Sequence, residues 1–283
     1  MYSKTGEGTR EIEVHEVKGS ESTSKSELIA VEEPLEIRLR FTPKTTAISS
    51  QISVTMRTPG NDPELALGFL FTEGIIASGE MVEKVTPVPA RNVLSEGNVL
   101  EVELKPGFGV DLKKLQRNFY TSSSCGVCGK SSIEAVRTSS GFSILENNFS
   151  IKKEILFKLP DQLRAHQEIF ECTGGLHAAA LFNDEGKLIA SREDIGRHNA
   201  VDKVIGYAMQ HSLLPLSNCL LLVSGRAGFE IVQKASMAGI PILAAVGAPS
   251  SLSYQLAVDA GITLIGFLKN QRFNVYSFPK RVV

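Results

Sequence analysis

The fold is decided by residues 219–267, which read CLLLVSGRAGFEIVQKASMAGIPILAAVGAPSSLSYQLAVDAGITLIGF. Three largely apolar runs, at 219–223, 242–246 and 262–267, alternate with helical segments at 228–237 and 251–259. Apolar strands that are separated by helices pair in parallel through right-handed crossovers. The stretch therefore predicts an α/β layer sandwich with parallel strands in the C-terminal half of the chain.

The N-terminal half has a different pattern of apolar and charged side chains. Residues 35–41 alternate apolar and charged side chains, which predicts a half-buried strand, and residues 99–104 repeat the pattern. Between them, Asp62 and Pro63 suit the N-cap and the first position of a helix. These elements predict a smaller α+β domain over residues 27–120.

Two segments lack an apolar period. Residues 1–26 are polar and charged, which predicts a flexible arm. Residues 121–132 are rich in Ser and Gly, which predicts a mobile loop between the two domains. The α/β domain then spans residues 133–283, with a hairpin over 177–190 and a helix over 197–209.

Composition excludes several classes of protein. The 283 residues include 30 basic and 31 acidic side chains, a net charge of −1, so no global field favours nucleic acid or an anionic membrane. No apolar run reaches the roughly 18 residues that span a bilayer, and the N-terminus lacks the apolar core of a signal peptide. Four cysteines do not form a disulfide scaffold, and we expect the reducing cytoplasm.

Cys125 and Cys128 lie in the tract TSSSCGVCGKSS at residues 121–132. Small neighbours leave both sulfurs uncovered, and accessible cysteines are the reactive ones. The pair could bind metal, exchange electrons or carry sulfur. A zinc site needs two more ligands, for which Cys172 and His177 are candidates.

The deaminase form of such a zinc site is only partly present. Zinc deaminases combine H-x-E with P-C-x-x-C, but Ser124 precedes Cys125 here and His177 is followed by three alanines. A thioredoxin-type dithiol would follow a strand early in a βαβ unit, which the surrounding residues do not predict. We expect Cys172 and Cys219 to be ordinary buried cysteines.

Polar turns follow the apolar strands. Ser224, Gly225 and Arg226 come directly after one strand, and residues 247–251 follow the next. Ligands of open parallel sheets bind at the carboxyl ends of the strands, where backbone N–H groups and an arginine can hold a phosphate. The segment at 192–203 adds Arg197 and His198 among other functional groups at the start of a helix, so we expect it to face the same ligand.

The order of several motifs resembles one family, the formate dehydrogenase accessory sulfurtransferases of the FdhD type. The resemblance runs from about residue 30 to the C-terminus. It is carried by RTPGND at 57–62, GFLFTEG at 68–74, CGVCGK at 125–130, TGGLH at 173–177, EDIGRHNAVDK at 193–203 and SGRA at 224–227.

The resemblance implies a function. Proteins of this family take sulfur from a cysteine desulfurase and pass it to the bis(molybdopterin guanine dinucleotide) molybdenum cofactor for formate dehydrogenase. The persulfide carrier of the family corresponds to Cys125, which Cys128 would assist. Cofactor contacts are expected from His177, Arg197, His198, Ser224, Gly225 and Arg226, with the guanine dinucleotide on Phe267, Leu268, Lys269, Asn270, Gln271 and Arg272.

The resemblance also implies an architecture: a cytidine-deaminase-like C-terminal layer sandwich with a mostly parallel sheet, no intrinsic metal, and a homodimer. Two other readings stay open. One is a zinc-dependent, deaminase-like hydrolase, and the other is a molybdenum-cofactor chaperone without chemistry of its own.

Overall fold

The structure, a computed structural model, describes residues 8–42, 46–89, 97–110 and 141–283. In these ranges the strands fall into three sheets. The strands are β1 Thr9–Lys18, β2 Glu21–Ala30, β3 Glu33–Phe41, β4 Ile48–Arg57, β5 Val82–Pro87, β6 Val99–Leu104, β7 His177–Phe182, β8 Leu188–Asp194, β9 Leu220–Val223, β10 Ile242–Ala245, β11 Thr263–Lys269 and β12 Arg272–Val275.

The α-helices of the same ranges cover the sheets and connect their strands. They are α1 Asp62–Thr72, α2 Lys153–Leu156, α3 Leu159–Ala165, α4 Glu168–Thr173, α5 Arg197–Gln210, α6 Phe229–Met237 and α7 Ser251–Ala260. The predicted helices at 197–209, 228–237 and 251–259 are thus confirmed to within two residues. The predicted helix start differs, because Asn61 is the N-cap of α1 and Asp62 is the first helical residue.

The largest sheet has six strands in the order β12-β11-β10-β9-β7-β8. The predicted parallel pairing of β9, β10 and β11 is confirmed. The remaining pairs, β11–β12, β7–β8 and β7–β9, are antiparallel. The expectation of a mostly parallel sheet was therefore wrong and the sheet is mixed, since short loops join β7 to β8 and β11 to β12 and such loops only permit antiparallel pairing.

A four-stranded sheet, in the order β4-β3-β6-β5, forms the N-terminal half. Strand β3 pairs antiparallel with β4 and parallel with β6. The alternation predicted for residues 35–41 is confirmed, because Leu35, Ile37, Leu39 and Phe41 are at most 2% exposed. This sheet contributes to the same continuous hydrophobic core as Leu221 and Leu243 of the six-stranded sheet.

The described part of the predicted flexible arm, residues 8–26, forms a β-hairpin with residues 27–30. Strands β1 and β2 pair from Thr9 with Ala30 to Lys18 with Glu21, around a turn in which Gly19 has φ 61°. Most of its side chains are exposed, so the pairing relies on backbone hydrogen bonds that composition does not reveal. Residues 1–7 lie outside the described ranges, as do the predicted domain boundaries near residues 120 and 133, and the division into two domains stays a prediction.

Helices α1 and α5 cross in direct backbone contact. A Cβ on Gly68 would lie 1.9 Å from the Asp202 carbonyl oxygen, and one on Gly206 would lie 1.8 Å from that of Glu64. Only glycine permits this approach. The crossing fixes the start of α5, and with it Arg197 and His198, relative to the N-terminal half of the chain.

Candidate functional site

The polar turns predicted to share one sheet edge are in contact. The Gly247 N–H donates to the Gly225 carbonyl over 3.0 Å, and the Phe267 N–H donates to the Gly247 carbonyl over 3.0 Å. Ala227 and Pro249 form an isolated parallel bridge between the same turns. The carboxyl ends of β9, β10 and β11 therefore build one continuous surface, which we call the carboxyl edge.

Glycines allow the turns of the carboxyl edge to pack closely. A Cβ on Gly247 would lie 2.9 Å from the Gly225 carbonyl oxygen, and one on Gly266 would lie 2.8 Å from Cδ of Pro249. Both contacts are shorter than a side chain tolerates, so these positions require glycine. The glycines therefore allow the three turns to pack directly against one another.

His177 and Arg197 lie beside Gly225 at the carboxyl edge. A Cβ on Gly225 would lie 3.4 Å from Nδ1 of His177 and 3.9 Å from Cδ of Arg197, so the three predicted residues do come together. Ser224 attaches the carboxyl edge to strand β7. Its hydroxyl accepts from the Ala178 N–H over 2.8 Å, and its own N–H donates to the Ala178 carbonyl over 2.9 Å. Ser224 thus positions the turn that carries Gly225.

The imidazole of His177 is kept neutral. Burial lowers its pKa below the ordinary value of 6.5, and the positive charges of Arg197 and His198 lower it further, against an opposing effect of Asp194. At neutral pH the ring therefore offers one donor and one acceptor nitrogen to a ligand.

His198 connects the first turns of helices α5 and α6. Its Nε2 lies 2.6 Å from Oε2 of Glu230, which joins the first turn of α5 to the first turn of α6. The other oxygen of Glu230, Oε1, is buried and has no hydrogen-bond partner among the described residues. Sequence reasoning missed Glu230, because a single carboxylate in the first turn of a helix is also typical of a solvated helix end.

Cations border the carboxyl edge without carboxylate partners in the described ranges. Arg226 is exposed on the turn after β9, and Arg197 is half-buried beside His177. Neither forms an ion pair with a described residue, whereas Arg192 nearby is paired with Glu64 over 2.6 Å. Unpaired guanidinium groups at the edge of a sheet are suited to phosphate.

The predicted guanine segment divides into parts with different roles. Strand β11 continues through residues 267–269, so the turn to β12 consists of Asn270 and Gln271 alone. Phe267 is 37% exposed and has φ 54°, whereas the side chain of Leu268 is fully buried in a core cluster and is unavailable to a ligand. Lys269, Gln271 and Arg272 are exposed, and Asn270 donates to Asp161 over 3.0 Å.

Most charged groups of the 193–203 motif are internal. Lys203 is 1% exposed and lies 2.8 Å from Oδ2 of the buried Asp194, and it also donates to the Thr58 carbonyl over 2.9 Å. Asp202 accepts from Lys234 over 2.8 Å and from Thr72 over 2.8 Å. These groups attach α5 to the N-terminal half, and from this motif Arg197 and His198 remain for the site.

The cysteines separate into three cases. Cys125 and Cys128 lie outside the described residues, so their roles stay predictions, as does the mobile loop at 121–132. Cys219 is buried as predicted, and burial raises the pKa of its thiol to about 11. The expectation of a buried Cys172 was wrong: it is exposed near the end of the short helix α4, none of whose residues is buried.

The profile of the FdhD/NarQ family matches residues 30–283. The chain belongs to this family. Proteins with the name sulfur carrier protein FdhD are similar over nearly their whole length. The one from Streptomyces coelicolor is 49% identical over 267 residues, which are 93% of this chain and 92% of that one. The one from Mycobacterium tuberculosis is 48% identical over 98% of this chain and 99% of its own, and that from Saccharolobus solfataricus is 42% identical over the same shares.

A solved structure shares the fold of this FdhD/NarQ family member. It is the crystal structure of a protein from Desulfotalea psychrophila described as a formate dehydrogenase accessory protein. The TM-score is 0.73, with 22% identity, and the match covers 98% of this chain and all of that one. At this identity the likeness concerns the fold alone.

Two further findings concern the described ranges. No helix there has the length and apolarity to cross a bilayer. No group of three or more His, Cys, Asp and Glu side chains is arranged there to hold a metal ion. The predicted zinc alternative depends on Cys125 and Cys128, which these ranges do not include.

Proposed function

We propose that this protein is a sulfur carrier that receives persulfide sulfur from a cysteine desulfurase and passes it to the bis(molybdopterin guanine dinucleotide) molybdenum cofactor of formate dehydrogenase. One observation carries the proposal: relatives between 42% and 49% identical over at least 93% of this chain bear the name sulfur carrier protein FdhD. The solved structure with the same fold is described as a formate dehydrogenase accessory protein.

The chemistry of the first step suits a CxxC cysteine. The Cys125 thiolate attacks the outer sulfur of the desulfurase persulfide, a new S–S bond forms on Cys125, and the desulfurase thiolate leaves. This transfer needs no external oxidant or reductant. Cys128 assists Cys125, and the cofactor is the substrate that accepts the sulfur in the second step, so the protein acts as a sulfurtransferase.

The carboxyl edge is the surface that we assign to the cofactor. Arg197 and Arg226 supply guanidinium groups for the phosphates of the cofactor. The neutral ring of His177 orients polar atoms of the same ligand, and Phe267, Lys269 and Arg272 extend the surface toward the guanine nucleotide. His198 contributes mainly by fixing the start of α5 through Glu230.

The proposal also includes the fold type, the oligomeric state and the cellular location of the protein. The strand order β8-β7-β9-β10-β11 is compatible with a cytidine-deaminase-like layer sandwich, and we propose a homodimer. A cytoplasmic location would keep the thiols reduced between cycles.

Mass spectrometry tests the sulfur-carrier proposal. After incubation with a cysteine desulfurase and cysteine, we expect the Cys125 peptide to gain one sulfur, about 32 Da. Cys125→Ala should abolish the gain, while Cys128→Ala should retain at least part of it. Transfer that survives Cys125→Ala but not Cys128→Ala would reverse the two roles.

Two outcomes would support the other readings. One zinc ion per chain without any sulfur adduct would favour the deaminase-like hydrolase. Activation of formate dehydrogenase by variants that lack both cysteines would favour a chaperone without chemistry.

Calorimetry with GDP tests the carboxyl edge. We expect Arg226→Ala to weaken GDP binding by about tenfold or more, because a charge-assisted pair is lost. Arg164→Ala, a change outside the carboxyl edge, serves as the control. Equal affinity of the wild type, Arg226→Ala and Arg164→Ala for GDP would show that Arg226 is not part of the site.

A further inference from the structure

Two polar side chains that the proposed function does not use lie on the last strand of the six-stranded sheet and just after it. Asn274 of β12 pairs with Gly266 of β11, so the two residues lie on the same face of the sheet. Tyr276 reaches that face as well, because Nδ2 of Asn274 lies 3.5 Å from its hydroxyl oxygen. We call Asn274 and Tyr276 the edge pair.

The edge pair adjoins a polar turn of the carboxyl edge. A Cβ on Gly266 would lie 2.8 Å from Cδ of Pro249, in the turn after β10, and 3.1 Å from Cε2 of Tyr276. The proline and the tyrosine ring therefore approach the same point above β11. Asn274 is exposed and Tyr276 is half-buried, so their polar groups can reach a ligand on the carboxyl edge.

The contact within the edge pair determines which hydrogen-bonding groups face outward. The oxygen of Tyr276 accepts from one N–H of Asn274, so its own O–H and the second N–H of the amide remain as donors. Two adjacent donors match the O6 and N7 acceptors of guanine. They do not match adenine, which carries an amino group, itself a donor, in place of O6.

The neighbouring residues supply the other parts of a nucleotide site. Phe267 is 37% exposed and is held at φ 54°, a conformation that is rare for a bulky residue and is found mainly at functional sites. Lys269 and Arg272 are exposed and form no ion pair with a residue of the described ranges. An exposed aromatic ring and two cations suit a base and its phosphates.

We infer that the edge pair, Asn274 and Tyr276, selects guanine over adenine in the nucleotide that binds the carboxyl edge. The inference rests on the proposed function, which assigns a guanine dinucleotide to this surface. Phe267, Lys269 and Arg272 do not distinguish the bases, since an aromatic ring stacks on any base and a cation pairs with any phosphate. The hydrogen bonds of the edge pair therefore decide which base is accepted.

Calorimetry of the full-length protein with GDP, ADP and pyrophosphate tests the inference. We expect the wild type to bind GDP at least about tenfold more tightly than ADP, because a mismatched donor loses its acceptor. Tyr276→Phe keeps the ring but removes the hydroxyl, so it should lose most of this preference and keep its affinity for pyrophosphate. Tyr254→Phe, at an exposed tyrosine of α7, is the matched control and should retain the preference.

Asn274→Asp gives a test with a direction. A carboxylate only accepts hydrogen bonds, so it disfavours O6 of guanine and favours the amino group of adenine. We expect the ratio of GDP to ADP affinity to shift toward ADP, while the added charge weakens both. Asn183→Asp adds the same charge after β7, at the opposite end of the sheet where Phe182 pairs with Leu220, and should leave the ratio unchanged.

Two results would overturn the inference. One is equal affinity of the wild type for GDP and ADP, and the other is a preference for GDP that both Tyr276→Phe and Asn274→Asp retain. A wild type that binds none of the three ligands would overturn the inference together with the assignment of the carboxyl edge. Loading of Cys125 by a desulfurase does not involve the base, so its failure would count against the sulfur-carrier proposal instead.

Discussion

Cys172 and Cys219 occupy opposite environments. Cys172 is exposed, whereas Cys219 is buried with a thiol pKa of about 11. Because the thiolate is the reactive form, we expect N-ethylmaleimide to modify Cys172 at least about a hundredfold faster than Cys219 near neutral pH. Peptide mass spectrometry over a time course measures both rates, and unfolding in urea should equalise them. Similar rates in the native protein would contradict the burial of Cys219.

His177 should make stability depend on pH. Its folded-state pKa lies below the ordinary 6.5, so the fold favours the neutral ring. The corresponding stability is present above pH 6.5 and is lost as the pH falls through the folded-state pKa. We expect His177→Gln to lose less stability than the wild type on acidification. Urea unfolding of both proteins from neutral to mildly acidic pH measures this, and parallel curves would contradict it.

At the scale of elements, the crossing of α1 and α5 is the most constrained contact. A methyl group at Gly68 or Gly206 would lie within 2 Å of a backbone oxygen of the other helix. We expect Gly68→Ala to reduce the free energy of unfolding by about 3 kcal/mol or more, because two packed helices must separate. Gly228→Ala, at the N-cap of α6 where a Cβ meets nothing within 4 Å, is the control. Denaturant unfolding compares them, and equal losses would show that the crossing adapts.

At the scale of the whole molecule, a buried cluster joins three helices. Lys234 of α6 lies 2.8 Å from Asp202 of α5 and 2.9 Å from the hydroxyl of Thr72 of α1. Lys234→Met should cost about 3–5 kcal/mol, because it leaves a buried carboxylate without its cation. The double variant Lys234→Met with Asp202→Asn should recover part of this loss. Calorimetry measures both, and additive losses would mean that the pair is not coupled.

Much of the secondary structure followed from local patterns. The apolar runs and polar turns of residues 219–267 predicted three parallel strands, two helices and the edge at which Gly225 and Gly247 meet. These features can be read from short stretches of sequence, because a strand that is buried on both faces is apolar throughout and the tight turns after these strands contain glycine. The CxxC pair was also evident from sequence, although its surroundings lie outside the described residues.

Other features depended on contacts between distant residues. The sequence by itself determined the family motifs, the parallel core and the candidate cysteines. Only the tertiary structure decided which members of the 193–203 motif are internal, that Cys172 is exposed and that residues 9–30 form a hairpin. The physical reason is that periodicity records which faces of an element are apolar, whereas the partner of a polar side chain is set by segments far away in the chain.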